Sequence, residues 1–450
     1  MTDTLDYIED TIVAIATPAG TGGVGVVRIS GSKTEQIARA ILGCVPKARY
    51  ATLKKFIDPE GNAIDSGIAI WFPAPDSFTG EAVLELHGHG GPEVMSLLVT
   101  TAVELGARRA IAGEFSKRAF LNGKLDLAQA ESIVDLINSG SAQGVRAAHR
   151  TLTGVFSTAI HDLAKRLTEL RLHVEAAIDF PEEEIDFLAD SYLLEKIEDC
   201  VIRFKELKRK MRLGRLFTNG VEIVIVGSPN TGKSSLLNAL SGEDSAIVTE
   251  FAGTTRDILR EQLNIDGLIV ELVDTAGLRE SAGPIEAEGI RRATIALQDA
   301  DIVLWMQDAT CQDEQDLNES LPDGIPVVVL RNKVDLTGDN SGQVSTEPVV
   351  LNISAKTGAG IDDLRNVIVT LAGYTDQGEG AFTARQRHLD ALTESAEHFT
   401  HGYEVLKKEK AGELMAEELR LSHQALGKIT GECTSEDLLG EIFSQFCIGK

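Results

Sequence analysis

Residues 227–240, GSPNTGKSSLLNAL, hold the first chemistry: Gly227, Gly232, Lys233 and Ser234 meet the spacing GxxxxGKS. Glycines at those offsets let backbone N–H groups cradle an α/β-phosphate, the lysine reaches the β/γ-oxygens, and the serine hydroxyl can ligate Mg²⁺. A glycine-rich turn alone means little. Here the strand-like run at 221–226 precedes it and an apolar-periodic helix follows, the context that makes such a turn a phosphate loop.

Four further elements come in the order a GTPase needs. Thr255, in GTTRD (253–257), can give Mg²⁺ a second hydroxyl when a γ-phosphate is present. The run Asp274, Thr275, Ala276, Gly277 follows a strand, bringing a carboxylate near the metal shell and an N–H near the γ-phosphate. Asn332, Lys333, Val334 and Asp335 follow the strand PVVVL, and the Asp335 carboxylate can accept from both N1–H and the exocyclic amine of guanine, a donor pair adenine lacks. Ser354, Ala355 and Lys356 close the base pocket. Each tetrapeptide is weak by itself, whereas the ordered set selects GTP as the substrate.

Leu278, directly after DTAG, cannot orient a water as the glutamine of Ras-type GTPases does. Help must come from elsewhere. Asn230 offers an amide oxygen beside the phosphates, and residues 249–254 can wrap over the same spot, so a monovalent cation held there would stabilise developing charge as an arginine finger does. Glu286 can orient the water directly or through a second one, with Glu280 and Glu288 as rivals and a solvated loop carboxylate as the bland alternative.

The elements that position these residues are legible in outline. At 450 residues the chain has room for two or three cores. Strand-like runs at 11–30, 66–72 and 82–86 suggest an α+β domain, whose loops carry Glu81, His87 and His89; metal ligation by these is disfavoured for want of a matching ligand at the right spacing. Helical periodicity then puts Leu163, Leu167, Leu170 and Val174 on one face before Pro181. Apolar strands at 221–226, 269–273, 302–306, 325–330 and 349–353 predict a doubly wound α/β domain. Helices return at 385–410, 412–430 and 435–446, so the two helical stretches are expected to fold together around an inserted nucleotide domain, the alternative being two separate helical domains.

A net charge of −26 opposes a diffuse nucleic-acid-coating surface, leaving room only for local RNA contact. The basic cluster at 208–215 reads first as a solvated helix face, with an RNA footprint as the lesser alternative. Five cysteines (Cys44, Cys200, Cys311, Cys433, Cys447) without a CxxC pair suit free thiols in a cytoplasmic, reducing compartment. The acidic start MTDTLDYIED lacks an apolar targeting core, and no run is long enough to span a bilayer.

Beyond these motifs, the runs TPAGTGGVGVVRISG, FTGEAVLELHGHGGP, GEFSKRAFLNGKLDLAQAE, DTAGLRE and the terminal FCIGK resemble the MnmE (TrmE) family of tRNA-modification GTPases from end to end. The resemblance implies a multidomain fold: an N-terminal α+β tetrahydrofolate-binding and dimer-forming domain (1–122), an all-α domain from two segments (123–219 and 377–450), and an inserted Ras-like α/β P-loop GTPase domain (220–376). It implies a homodimer, a heterotetramer with the flavoprotein MnmG (GidA), and tRNA as the object. The reaction would install an aminomethyl or carboxymethylaminomethyl group at C5 of the wobble uridine, with carbon from 5,10-methylenetetrahydrofolate or 5-formyltetrahydrofolate.

Residue by residue, it implies K⁺ held by Asn230, Thr249, Phe251 and Thr254, Mg²⁺ held by Ser234 and Thr255, and catalysis by Glu286. Thr231 and Ser235 complete the phosphate loop. Phe251 stands where isoleucine is common, which matters little if the backbone carbonyl is the ligand. Arg28, Glu81, Lys124 and Lys450 match folate-contacting positions, and Cys447 matches a cysteine proposed for chemistry, although a helical apolar cysteine is more often inert. The competing functions are a ribosome-assembly or regulatory GTPase switch and a folate-binding scaffold whose GTPase acts as a timer; no basic GXXG clamp favours the switch.

Overall fold

The computed structural model of the chain describes residues 10–179, 191–228, 230–241, 260–265, 268–274, 300–311, 325–372, 382–432 and 436–449. Two compact units divide it, Met1–Val134 with Gln424–Lys450, and Asp135–His423.

In the first unit, β1 (Ile12–Ile15), β2 (Gly22–Ser30), α1 (Thr34–Leu42), β3 (Thr52–Ile57), β4 (Ala63–Phe72), β5 (Val83–Gly90), α2 (Pro92–Glu104), β6 (Arg108–Arg109), α3 (Glu114–Leu121) and α4 (Leu127–Asn138) follow in order. The strands form one sheet in the order β3-β4-β5-β2-β1-β6, antiparallel except for the β1/β6 pair. Alternation along β2 sends Val27 and Ile29 into the core with Leu84 and Leu86 of β5. Ile37 and Ile41 of α1 and Leu98 and Ala102 of α2 cover that face. Arg28 and Glu85 lie directly opposite each other on the two central strands and remain half-exposed. The expected strand at 66–72 lies within β4 and that at 82–86 overlaps β5 from Val83; β3 was not anticipated, because TLKKFI carries two lysines in a six-residue strand.

The second unit begins with α5 (Ala142–Leu152), α6 (Val155–Asp179) and α7 (Ser191–Asn219). Leu163, Leu167, Leu170 and Val174 are all buried along α6, as their spacing requires. There follow β7 (Val221–Gly227), α8 (Lys233–Ser241), β8 (Arg260–Ile265), β9 (Leu268–Asp274), β10 (Ile302–Asp308), β11 (Val327–Asn332), a short α9 (Val334–Thr337), β12 (Gly342–Thr346), β13 (Val349–Asn352) and α10 (Ile361–Leu371). The sheet order is β12-β13-β11-β10-β7-β9-β8, and the five strands read as apolar runs form its parallel centre. β8 and β12 are antiparallel edges, too polar to announce themselves by apolar content.

After the sheet come α11 (Gln386–Glu409), α12 (Gly412–Thr430) and α13 (Glu436–Ser444). The two helical stretches do pack together: Phe156 of α6 stacks on Phe382 with ring centroids 4.5 Å apart, and Phe204 of α7 meets Phe399 of α11 at 5.4 Å. The last helix belongs to the first unit, where Leu439, Ile442, Phe443 and Phe446 close a small core with Leu127 and Ala130 of α4.

Candidate functional site

The parallel sheet delivers its polar residues at the C-terminal ends of adjacent strands, the usual crevice for ligands in open α/β folds. β7 ends at Gly227, β10 at Asp308 and β11 at Asn332. Between β7 and α8 the loop turns back through Asn230, whose φ of 63° is left-handed, and Gly232, whose φ is 98°. A Cβ at Gly232 would lie 2.3 Å from the Asn332 Nδ2 atom, so only glycine permits the approach that follows.

Asn332, almost wholly buried, donates from Nδ2 to the Thr231 carbonyl at 2.8 Å and accepts at Oδ1 from the Ala355 N–H at 2.9 Å. One side chain therefore fastens the phosphate loop to the base-side loop. Lys233 is buried, its Nζ donating to the carbonyls of Gly227 at 2.9 Å and Ser228 at 3.0 Å, so the ammonium lies over the loop where phosphate oxygens would compete for it. Thr231 Oγ1 donates to the Ser228 carbonyl at 2.9 Å. Ser234 and Ser235 are exposed in the first turn of α8, which leaves the Ser234 hydroxyl open to a hydrated divalent cation. The loop's donors, its ammonium and this hydroxyl fit a Mg²⁺-bound nucleoside phosphate.

On the base side the Ser354 hydroxyl, fully buried, donates to Asp335 Oδ1 at 2.7 Å and orients an otherwise exposed carboxylate. Val334 is buried behind it, and Lys356 is exposed. Lys333 takes a left-handed φ of 72° and reaches Asp308 Oδ2 at 2.6 Å. Burial works against ionisation of Asp308, but the Lys333 ammonium and the Thr310 hydroxyl and N–H outweigh it and hold that carboxyl below its usual range. Asp308 was not singled out in the sequence, since its role depends on a partner 25 residues away. Thr249, Phe251, Thr254, Thr255, Thr275, Ala276, Gly277 and Glu286 lie outside the described residues, as does the side chain of Asp274.

A second polar centre occupies the first unit. Arg118, 5% exposed in its side chain, donates to Glu81 at 3.0 Å, to Glu114 at 3.0 Å and to Asp10. Arg108 donates to the other oxygen of Asp10 and to both oxygens of Glu114. Burial alone would raise the carboxyls of Asp10 and Glu114, yet the two guanidiniums, with the Ile111 N–H on Glu114, hold both below their ordinary values. Glu81 also accepts from the Ser30 hydroxyl at 2.6 Å. Lys124 is exposed, its Cε 3.4 Å from the place of a Cβ on Gly80, the neighbour of Glu81. Arg28 pairs with Glu85 at 2.8 Å and lies over the rings of Phe78 and Phe115. Lys124, the partly exposed Arg28 and the exposed ring of Phe78 are open to an anionic or flat ligand, whereas both oxygens of Glu81 are taken by Arg118 and Ser30 and Phe115 is fully buried. His87 meets Glu85 at 3.2 Å and His89 meets Asp65 at 2.8 Å, and no metal-binding cluster occurs among the described residues.

The chain's end comes to the same unit. Ile448 bridges Ala112, the Cys447 carbonyl accepts from the Gly113 N–H at 3.4 Å, and Gly449 packs on Ile15, whose strand partner is Val27, next to Arg28. Cys447 is an exposed free thiol, and Lys450 lies outside the described residues.

Comparison with known proteins supplies the context. The family model described as "MnmE helical domain" matches residues 127–447, and that described as "GTP-binding protein TrmE N-terminus" matches residues 11–124. The protein named tRNA modification GTPase MnmE from Coxiella burnetii is 51% identical over 448 residues, covering 98% of this chain and 99% of its own. The namesake from Erwinia tasmaniensis is 51% identical over 452 residues with the same coverage. Among solved structures, Aquifex aeolicus Era bound to GDP.AlF4- is 26% identical over 40% of this chain and 67% of its own, with a TM-score of 0.27, too slight a likeness to bear on the fold. With both family models matched in sequence and half of all residues shared with relatives along their full length, the chain belongs to the MnmE (TrmE) family.

Proposed function

We propose that this chain is a GTPase that works in tRNA modification, and that its turnover is potassium-activated. The observation that carries nucleotide binding is the pair of hydrogen bonds made by the Asn332 amide, which ties a phosphate loop to a loop whose serine orients the Asp335 carboxylate. In this reading the loop N–H groups and Lys233 hold the β/γ-phosphates, Ser234 and Thr255 ligate Mg²⁺, and Asp274 stands in its outer shell. Asn230, exposed and left-handed beside the phosphates, together with Thr249, Phe251 and Thr254, would hold K⁺, which supplies positive charge where negative charge develops. Glu286 orients the attacking water, and Asp335 reads guanine.

The finer reading is that residues 1–122 bind a reduced folate through Arg28, Glu81, Lys124 and Lys450 and pair into a homodimer. Residues 123–219 with 377–450 form the helical domain, and 220–376 the GTPase domain. With the flavoprotein MnmG (GidA), the chain would add an aminomethyl or carboxymethylaminomethyl group at C5 of the wobble uridine, and Cys447 is the candidate thiol for that chemistry. Cys44, Cys200, Cys311 and Cys447 are free thiols, which supports a cytoplasmic setting; burial pushes the Cys200 thiol up to about 11, leaving it inert. No helix among the described residues is long and apolar enough to cross a membrane.

Wobble-uridine content in a deletion strain tests the reading. Loss of the modification, restored by the intact chain but not by Glu286→Ala, is the expected result. Normal wobble uridines in the deletion strain would leave a regulatory switch as the better account. In vitro, Glu286→Ala should lose turnover while nucleotide affinity holds, because the carboxylate acts on the transition state.

A further inference from the structure

The unassigned basic cluster lines a cavity. A depression of about 710 Å³ lies between α7, the sheet and α11, all within the second unit, and Lys205, Lys208, Arg209, Arg212 and Arg215 border it along α7. Its floor includes Val221 and Ile302, the first residues of β7 and β10. The phosphate loop stands at the opposite ends of those strands, six residues away along β7 or about 20 Å at some 3.3 Å per residue.

Three features separate this face from ordinary solvated charge. Offsets of three, four and three residues put Lys205, Lys208, Arg212 and Arg215 in one row along α7, beside the buried row of Phe204, Leu207 and Met211. Lys205, Lys208, Arg209 and Arg212 have no ion-pair partner among the described residues, in a chain of net charge −26. The two carboxylates on the rim are already engaged: Asp301 accepts from Arg215 at 3.1 Å and from the Glu222 N–H at 3.0 Å, and Asp390 accepts from Gln386 at 2.8 Å.

We infer that this face is where the chain grips the phosphate backbone of its tRNA, an inference that rests on the reading of the chain as a tRNA-modifying enzyme. From Lys205 to Arg215 the row spans about 15 Å at 1.5 Å per residue, a length that meets several successive phosphates of one strand. Lys205, Arg209 and Arg212 are exposed and within reach of a macromolecule. Apart from its charged residues, Gln386 and Thr393, the described lining is aliphatic, and it holds no aromatic ring on which a base could stack, which suits a backbone and not a free nucleotide. Since the rest of so acidic a chain repels RNA, contact concentrates where cations stand unpaired.

The test is tRNA binding by the full chain, followed by fluorescence anisotropy across a salt series. The triple variant Lys205→Gln, Arg209→Gln, Arg212→Gln should bind tRNA at least about tenfold more weakly, with the slope of log affinity on log salt reduced by roughly two to three. The charge-keeping variant Lys205→Arg, Arg209→Lys, Arg212→Lys should bind as the unaltered chain does. Unchanged GTP hydrolysis in both shows that they fold, and Lys407→Gln, Lys408→Gln, Lys410→Gln on α11 and just beyond its end serves as the control for net charge. Wild-type affinity in the first triple variant overturns this surface while leaving the tRNA reading intact. Failure of the unaltered chain to bind tRNA overturns both. Inorganic triphosphate lost from the triple variant while tRNA affinity holds would also overturn it, marking a small-anion site.

Discussion

Asn332 and Thr231 are joined by a 2.8 Å hydrogen bond between elements 101 residues apart, and the other end of the same amide holds Ala355. Asn332→Ala leaves a buried carbonyl and a buried N–H without partners, at a cost of about 1–3 kcal/mol each. We expect a lower melting temperature for the GTPase domain and GTP affinity reduced about tenfold or more. Differential scanning calorimetry and titration with a fluorescent GTP analogue measure the two; unchanged affinity would mean that the loops hold their geometry without the amide.

Asp335→Asn should move preference from GTP to XTP. The new amide can still accept from Ser354 through its oxygen, which turns the NH₂ group toward the base, where xanthine offers an acceptor and guanine a donor. Competition of XTP against GTP checks this, and retained GTP preference would remove Asp335 from base reading.

Replacing K⁺ with Na⁺ should cut GTP turnover by at least about 10², since a lost transition-state charge partner is worth several kcal/mol. Asn230→Ala should abolish the difference between the two salts. Equal turnover of the unaltered chain in both salts counts against the cation and returns the problem of Leu278 to some other group.

Arg118 sits among three carboxylates, so Arg118→Met should destabilise the first unit by about 3–5 kcal/mol, the usual result of stripping one partner from a buried ion cluster. The sign of the pH effect follows from lowered carboxyls. Asp10 and Glu114 add stability that is complete above their unfolded values near 4 and is lost as pH falls through the lower folded values. The gap between unaltered and variant chains should therefore be widest at neutral pH and shrink below about pH 4. Urea titrations at pH 7 and at about pH 2, below the lowered carboxyl values, decide it; an equal gap at both would show that packing, not charge, is what Arg118 contributes.

Deleting Cys447–Lys450 should weaken 5-formyltetrahydrofolate binding and abolish tRNA modification while GTP hydrolysis stays largely intact. Gly449→Ala should act in the same sense, because φ there is 96° and a Cβ would come within 2.3 Å of the Ile15 carbonyl. Calorimetry with the folate and a parallel GTPase assay measure both. Intact folate affinity with reduced hydrolysis would assign the terminus to the GTPase domain.

What could be read in advance was whatever is local. The phosphate loop, the parallel strands and the α6 stripe are contiguous patterns, and each stands where its spacing requires. Asp308 and Arg118 were not found because Asp308 pairs with Lys333 25 positions away and Arg118, besides its near neighbour Glu114, pairs with Glu81 and Asp10 37 and 108 positions away, which local spacing cannot name. Asn332 was legible as part of a motif, but its two hydrogen bonds required three loops to be folded side by side. The α7 row was visible as a cluster, whereas its lack of partners and the cavity beside it became apparent only with α11 and the sheet in position.

The small core shared by Phe120, Leu127 and Ala130 with Leu439, Ile442 and Phe446 has a consequence for the order of synthesis. Its first half leaves the ribosome about 300 residues before its second half, an interval of roughly 15–60 s at 5–20 residues per second. Through that interval the α4 side of this core has no cover from its own chain, although the GTPase domain in between has already emerged. A nascent chain thus has all of its second unit before its first unit is finished, and a ribosome that stops short of the last helix releases a product with an unsealed apolar face.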